Sequence, residues 1–179
     1  MRSTNEPPSR RHRIRVAKPT DCAAIAGLIR ELAVYEKLES EVEATAGALE
    51  RHLFGSRPVA EALIAELDGS AVGFALFFHS FSTFRCKPSL YLEDLFVRPE
   101  YRGRGIGRDL FTSCARLAVE RDCGRFEWAV LDWNEPAIGF YRSMGARAMT
   151  DWTVNRLDDD LLHAAAAGAP LLERETIDG

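Results

Sequence analysis

The chain has 179 residues, a formal net charge of −4 and 46% apolar residues. It is too apolar to be disordered, and its 13 glycines and 8 prolines are too few for a collagen-like or low-complexity chain. The acidic balance argues against a nucleic-acid partner, and no run of about 18 apolar residues is present that could enter a membrane.

The beginning of the chain is basic and polar. Residues 1–12 lack the apolar core of a secretory signal, and we expect them to form a disordered leader. Without an export signal, the four cysteines are expected to be reduced thiols in a cytoplasmic protein. None of them stands in a C-x-x-C pair and no histidine pair has zinc spacing, so we expect no metal site.

The first elements are a strand and two helices. Arg13–Val16 alternates and is predicted to be the first strand. Thr20 or Asp21 can cap a helix, in which apolar residues recur every three or four positions as far as Tyr35. Thr45 can cap a second helix.

The hydrophobic period then changes to two. Glu61–Leu67 and Ala71–Phe78 are predicted strands, and the turn sequence Asp68-Gly69-Ser70 joins them as a hairpin. We expect His79–Pro88 to be a polar and aromatic loop, and Leu90–Val97 to be the next strand.

The second half of the chain alternates between helices and strands. A glycine-rich stretch precedes a helix, and Arg125–Leu131 is the strand after it. Asn134 can cap the following helix, which Gly145 ends. Met149–Leu157 is predicted to be the last strand.

This order of elements predicts a single α/β (α+β) domain. We place the domain at residues 13–158 and a partly helical tail at residues 159–179. A hairpin followed by strands linked through helices implies a mixed, mostly antiparallel central sheet of six to seven strands, with helices on both faces.

One stretch carries a chemical signal, because Arg102-Gly103-Arg104-Gly105-Ile106-Gly107 lies between a strand and a helix. Glycines let the backbone approach a phosphate, and the first N–H groups of a helix attract a pyrophosphate. The stretch lacks the lysine of a P-loop, and Arg108 stands where a dinucleotide fingerprint has glycine. A glycine-rich turn needed only for packing is the alternative.

Together with the strand before it, this loop resembles motif A of the GNAT superfamily of N-acetyltransferases. The matching residues are Leu95-Phe96-Val97 and Arg102-x-x-Gly105-x-Gly107. The predicted order of elements is also similar to the family fold, from about Arg13 to Leu157. Three further stretches resemble the diamine (spermidine/spermine) acetyltransferase branch and its bacterial relatives, namely Leu32–Glu36, Tyr91–Val97 and Trp133–Tyr141.

The resemblance implies that acetyl-CoA is the co-substrate and that no metal takes part. The strand residues that match Leu95, Phe96 and Val97 pair with the pantetheine arm in the family, and the helix start that matches Asn134 contacts CoA. The pyrophosphate loop corresponds to Arg102, Gly103, Arg104, Gly105, Ile106, Gly107 and Arg108.

The resemblance also implies roles at the reaction centre. Tyr141 matches the general acid that protonates the CoA thiolate, although by position alone it also fits a core residue. Glu93 matches a carboxylate that contacts the amine and takes its proton, directly or through water, and a partly buried carboxylate has the raised pKa that this needs. Tyr35 and Glu36 match substrate contacts. Asp94 is expected to point to the opposite face of the strand and to be either structural or a partner that supports the site residues.

The expected function is acetyl transfer to a primary amine of a small cationic substrate (a diamine, polyamine or lysine-like amine) by direct attack in a ternary complex. Two alternatives are a CoA-binding or sensing module without efficient turnover and a protein or peptide N-acetyltransferase. The polyamine branch is dimeric, which implies a homodimer. Its enzymes have an acidic residue and a tryptophan where this chain has Ser82, Thr83 and Phe84, followed by basic Arg85 and Lys87, which argues against polyamines.

Overall fold

The computed structural model describes residues 12–167 and 169. They form two compact units, one that ends at Leu131 and one that begins at Asp132. Of the leader expected over residues 1–12, all but His12 lies outside the described residues. The same holds for residue 168 and residues 170–179 of the tail.

The first unit contains the sheet and three α-helices. Its elements are β1 His12–Val16, α1 Cys22–Glu36, α2 Ala46–Phe54, β2 Glu61–Leu67, β3 Ser70–Ser82, β4 Lys87–Val97, α3 Ile106–Glu120 and β5 Phe126–Trp128. Short 3-10 turns lie at Pro19–Asp21, Glu39–Glu41 and Pro99–Tyr101. The described part of the second unit contains α4 Glu135–Ser143 and α5 Asp159–Ala166.

The five strands form one sheet in the order β1-β2-β3-β4-β5. Consecutive strands pair antiparallel as far as β4, and β4 pairs with β5 in parallel. The prediction of a mixed, mostly antiparallel sheet is therefore confirmed. The prediction of six to seven strands is overstated, because within the described residues the sheet has five.

The strand predicted over Met149–Leu157 accounts for this difference. Residues 149–157 contain no strand, and Trp152 and Val154 are 74% and 83% exposed. A strand forms only when a neighbour completes its ladder of hydrogen bonds. No strand in the described part of the chain pairs with this segment. Alternation in the sequence indicates a preference for strand but does not supply the partner.

The β3–β4 hairpin is longer than the sequence predicts. Pairing continues to the ends of both strands, so only residues 83–86 of the predicted loop His79–Pro88 lie between them. Phe78 and its cross-strand partner Tyr91 stack with ring centroids 5.1 Å apart. Cross-strand aromatic pairs stabilise a sheet, and this pair lies directly before the part of the expected loop that is strand.

Helices cover both faces of the sheet. On one face, Phe74 and Phe96 pack in a buried cluster with residues of α1 and α2. On the other face, Phe111 of α3 contacts the rings of Phe126 and Trp128, with both centroid distances at 5.0 Å. The alternation of strand side chains between faces thus gives each helical layer an apolar surface.

The two predicted helix caps in the first unit differ in outcome. Thr45 accepts a hydrogen bond from the Ala48 N–H over 3.2 Å and caps α2. Asp21 does not cap α1. Its carboxylate instead accepts the Lys18 N–H over 2.8 Å and pairs with Arg15 over 2.6 Å. The Arg15 guanidinium holds the pKa of Asp21 below its ordinary value.

Gly73 marks the closest approach of β3 to β4. A Cβ atom at this position would lie 2.6 Å from the Phe96 carbonyl oxygen and 3.1 Å from Val97 Cγ2. Contact with a backbone atom cannot be relieved by a rotamer change. The closeness of the two strands therefore requires a residue without a side chain here.

The substitution Gly73→Ala is expected to lower the free energy of unfolding by about 1–3 kcal/mol, because β4 has to shift. Gly27→Ala in α1 is the control, since no atom lies within 4 Å of the added Cβ. That change should raise the free energy by about 0.5–1 kcal/mol. Urea unfolding measures both, and equal effects of the two substitutions would contradict the close approach.

Candidate active site

β4 contains one residue more than the stretch of β3 with which it pairs. Leu76 of β3 pairs with Asp94, whereas Phe77 pairs with Leu92, so Glu93 has no partner on β3. Such a β-bulge bends the strand and increases its twist, and bulges are frequent beside active sites. The bulge interrupts the strict alternation that predicted opposite faces for Glu93 and Asp94.

Beyond the bulge, strands β4 and β5 are no longer paired. β5 pairs with β4 only over Leu90–Leu92, and no other described strand continues along this side of β4. The Phe96 carbonyl points towards Gly73 on β3. Because backbone groups alternate between the two sides of a strand, the N–H groups of Leu95 and Val97 point away from β3. We call this side of residues 93–97 the open edge, and an extended ligand can add to it as a further strand.

The glycine turn, residues 102–107, leads from the open edge into α3. Gly103 and Gly105 have φ angles of 74° and 84°, in the left-handed region that favours glycine. Gly105 is the N-cap of α3, and no side chain caps the helix, so its first N–H groups are available to an anion. A Cβ on Gly107 would lie 3.8 Å from Val97 Cγ2, so α3 begins against the end of β4.

The arginines of the turn have different surroundings. Arg102 donates from Nε to the Val97 carbonyl over 2.8 Å, and its guanidinium carbon lies 4.8 Å from the centre of the Tyr35 ring. Arg104 donates to the Glu100 carbonyl over 3.3 Å, and its guanidinium carbon lies 5.5 Å from the centre of the Tyr101 ring. Arg102, Arg104 and Arg108 are all exposed. The structure thus brings together Tyr35, predicted to contact substrate, and Arg102, predicted to contact the cofactor. Arg104 and Arg108 lie beside the start of α3.

The carboxylates of Glu36, Glu93 and Asp94 interact electrostatically near the bulge. Burial raises the pKa of Asp94 to about 7, and the negative charges of Glu93 and Glu36 add to the rise. Burial also raises the pKa of Glu36 at the end of α1. The pKa of Tyr91 is raised by burial and then by the charges of Glu93 and Glu127. A cation placed here would relieve the mutual repulsion of these acidic groups.

Asp94 is the carboxylate suited to accept a proton near neutral pH. The sequence predicts that Asp94 is structural or supports the site, and that Glu93 is partly buried. In the structure Glu93 is exposed and Asp94 is half-buried. The bulge causes this exchange, because it shifts the register by one residue. The available sequence signal was the pair of adjacent acidic residues within an apolar strand.

The second unit places Asn134 and Tyr141 on α4. Asn134 is buried, and its Oδ1 accepts the Ala137 N–H over 3.3 Å, so it caps the helix as predicted. Pro136 lies in the first turn, where its missing N–H is tolerated. Tyr141 is half-buried two turns further on, with its ring centroid 5.3 Å from that of Phe140.

All four cysteines are free thiols. Burial raises the pKa of Cys114 to about 12, so this thiol is protonated at neutral pH. No group of three or more His, Cys, Asp or Glu side chains that could hold a metal occurs in the described part of the chain. No helix among the described residues is long and apolar enough to cross a membrane.

Comparison with known proteins gives consistent matches. The profile of the acetyltransferase (GNAT) family matches residues 27–146. The chain is 39% identical over 164 residues to thialysine N-epsilon-acetyltransferase of Sus scrofa, covering 86% of this chain and 96% of the relative. It is 34% identical over 197 residues to L-ornithine N5-acetyltransferase NATA1 of Arabidopsis thaliana, covering 85% and 86% of the two chains.

A solved structure agrees in fold. An integron cassette protein from V. cholerae superposes with a TM-score of 0.74 at 25% identity, covering 88% of this chain and 98% of that one. The open edge, the glycine turn and the uncapped start of α3 fit acetyl-CoA, the co-substrate that the family uses. The chain belongs to the GNAT family and is an acetyl-CoA-dependent N-acetyltransferase.

Proposed function

We propose that the enzyme acetylates a primary amine of a small cationic substrate, by direct attack within a ternary complex. The observation that carries this proposal is the clustering of Glu36, Glu93 and Asp94 at the bulge, beside the open edge. The names of two relatives support it, because thialysine N-epsilon and L-ornithine N5 each specify an amine nitrogen of a small amino acid.

The co-substrate is assigned to the open edge and the glycine turn. The N–H groups of Leu95 and Val97 donate hydrogen bonds to carbonyl oxygens of the pantetheine arm, as the family resemblance implies. The first N–H groups of α3, with Arg104 and Arg108, hold the pyrophosphate. Arg102 supports this site by its contact with the Val97 carbonyl at one end of the edge.

The carboxylates have two tasks in this scheme. An alkyl ammonium has a pKa near 10.4, so only about one molecule in 2,500 is neutral at pH 7. Glu93 and Glu36 attract the cation, and Asp94 accepts its proton. The neutral nitrogen then attacks the thioester carbonyl and a C–N bond forms. The C–S bond breaks to release the CoA thiolate, and the positively charged nitrogen of the adduct gives up its second proton to solvent.

Tyr141 is proposed as the acid that protonates this thiolate. The proposal rests on the family resemblance of α4 and on the cap by Asn134, which fixes where the helix begins. A thiol has a pKa near 8.5, so the thiolate is already a good leaving group and the acid assists the reaction without being indispensable.

The basic residues of the β3–β4 hairpin do not decide the choice of amine. Lys87 precedes Glu93 by six positions on β4, about 20 Å at the rise of a strand. Lys87 also pairs with Asp122 over 2.6 Å, and Arg85 donates to the Gly124 carbonyl over 2.8 Å. These two basic residues therefore exclude none of the diamines, polyamines and lysine-like amines of the proposed class. What still argues against polyamines is the missing acidic residue at positions 82–84.

We further propose that the enzyme is a homodimer. The resemblance to the dimeric polyamine branch supports this proposal. The large apolar side chains that the second unit exposes also support it.

Incubation with acetyl-CoA and a panel of amines is expected to yield N-acetyl products from diamines, polyamines or lysine-like amines, detected by mass spectrometry. Neutral alcohols of the same length are the control and should not react, because the carboxylates select for a cation. Acetyl-CoA binding without any acetylated product, or acetylation confined to proteins and peptides, would contradict the proposal.

The pH profile of kcat/KM identifies the proton acceptor. In the wild type we expect a break near pH 7, below which activity falls more steeply as Asp94 takes up its proton. Asp94→Asn should remove the break and lower kcat/KM by about 10²–10⁴-fold.

Glu93→Gln is the matched variant in the same bulge. It should keep the break but move it to lower pH, because the Glu93 charge contributes to the raised pKa of Asp94. Loss of the break in Glu93→Gln together with its persistence in Asp94→Asn would instead make Glu93 the acceptor.

A further inference from the structure

Two arginines join the end of β4 to α1, and both contacts lie within the first unit. Arg98 pairs with Glu31 through Nε and Nη2, over 2.8 and 2.7 Å. Arg102 follows four residues later, with its guanidinium carbon 4.8 Å from the centre of the Tyr35 ring. Glu31 and Tyr35 are also four residues apart, so they lie on the same face of α1. The chain that leaves the open edge is therefore attached to two successive turns of α1.

Arg102 also holds the end of the open edge. The Arg98 N–H donates to the Val72 carbonyl of β3 over 3.0 Å, and the Phe96 carbonyl points towards β3 as well. Because successive residues of a strand alternate, the Val97 carbonyl between them points away from β3, to the side where a ligand can add. Arg102 Nε donates to this carbonyl over 2.8 Å. The Arg102 side chain thus makes the hydrogen bond that the next N–H of an added strand would make.

Aromatic rings determine where the charge of Arg102 lies. Its guanidinium carbon is 5.6 Å from the centre of the Phe96 ring, in addition to its contact with Tyr35. Phe96 is buried, and Tyr35 packs against the same apolar cluster. A guanidinium is attracted electrostatically to the face of an aromatic ring. Arg102 is exposed, so these contacts, rather than burial, position it.

The turn of α1 that carries Tyr35 leads to the acidic groups at the bulge. Glu36 is the next residue and the last of α1, and it is half-buried. Its negative charge acts on Asp94 and contributes to the raised pKa of that carboxyl. Tyr35 therefore lies between an arginine that holds the open edge and a carboxylate that acts on the bulge.

We propose that the contact between Arg102 and Tyr35 couples the two substrate sites, so that CoA and a cationic amine each bind more tightly when the other is present. Arg102 is the first residue of the glycine turn, so its position is fixed further when CoA occupies the turn and the open edge. A fixed guanidinium holds the Tyr35 ring and the end of α1, and the cost of ordering them is then met once for both ligands. Arg102 and Tyr35 act here as positioning residues. The place of the amine rests on the proposed function.

Titration calorimetry with CoA measures the coupling, because CoA carries no acetyl group and cannot react with the amine. The probe amine is the diamine cadaverine at saturating concentration. In the wild type it should lower the Kd of CoA about 2–5-fold, the magnitude of an exposed contact between a cation and a ring. The ratio of the two Kd values should fall to about 1 in Arg102→Gln, which can donate to the Val97 carbonyl but has no charge. It should also fall to about 1 in Tyr35→Leu, which has no ring.

Two matched variants keep the contact and should keep the wild-type ratio. Tyr35→Phe retains the ring and loses only the hydroxyl group. Arg98→Gln removes the ion pair one turn earlier on α1, so it shows what a loosened helix does by itself. Far-UV circular dichroism shows that each variant is folded. A wild-type ratio of 1, a wild-type ratio that persists in Arg102→Gln, or an equal loss in Arg98→Gln would overturn the proposal.

A double-mutant cycle on CoA alone tests the contact without any amine. Tyr35→Leu should raise the Kd of CoA about 2–5-fold, because Arg102 loses the ring that positions it. The same substitution in an Arg102→Gln background should have no measurable effect, because residues in contact are not additive. Equal effects of Tyr35→Leu in both backgrounds would overturn the proposal.

These binding measurements are distinguishable from the test of the proposed function, because none of them requires turnover. If amines are acetylated but the Kd ratio is 1 in the wild type, the coupling is wrong and the proposed function stands. If cadaverine and CoA are coupled through Arg102 but no amine is acetylated, the coupling stands and the proposed function is wrong.

Discussion

β4 lies between the long strand β3 and the short strand β5. The geometry of the site depends on the part of β4 that extends beyond β5. β4 pairs with β3 along its whole length, but β5 accompanies it only as far as Leu92. Glu93 is inserted at that point as the extra residue of a bulge, which bends and twists the strand. The open edge follows directly, and so does the half-buried position of Asp94 next to an exposed acidic neighbour.

Groups of opposite charge lie at the two ends of the open edge of β4. Acidic side chains surround the bulge at one end of the open edge, and the glycine turn with its exposed arginines follows the other end. Glu93 and Val97 are about 13 Å apart along an extended strand. A cationic substrate and an anionic co-substrate can therefore approach one continuous stretch of backbone without competing for the same charges. This also explains how a chain with an acidic balance binds CoA, because only the local field at the turn has to be positive.

Much of this architecture is predictable from the sequence, because it follows from local rules. The glycine turn, the caps at Thr45 and Asn134 and the alternation of the strands each depend on a few neighbouring residues. The features that were not predicted depend on partners far along the chain. The bulge is set by register with β3, and it reversed the expected environments of Glu93 and Asp94. The strand expected over Met149–Leu157 alternates between polar and apolar residues only over 151–155, and no described strand pairs with it.

The central claim is that the open edge of β4 receives the pantetheine arm as an added strand. Amide hydrogen exchange, followed by NMR with and without CoA, tests it residue by residue. The account predicts that the amides of Leu95 and Val97 exchange quickly in the free enzyme and slow strongly when CoA binds. The amide of Phe96 faces β3 and should be protected in both states. Protection of Leu95 and Val97 that stays unchanged at saturating CoA would contradict the account.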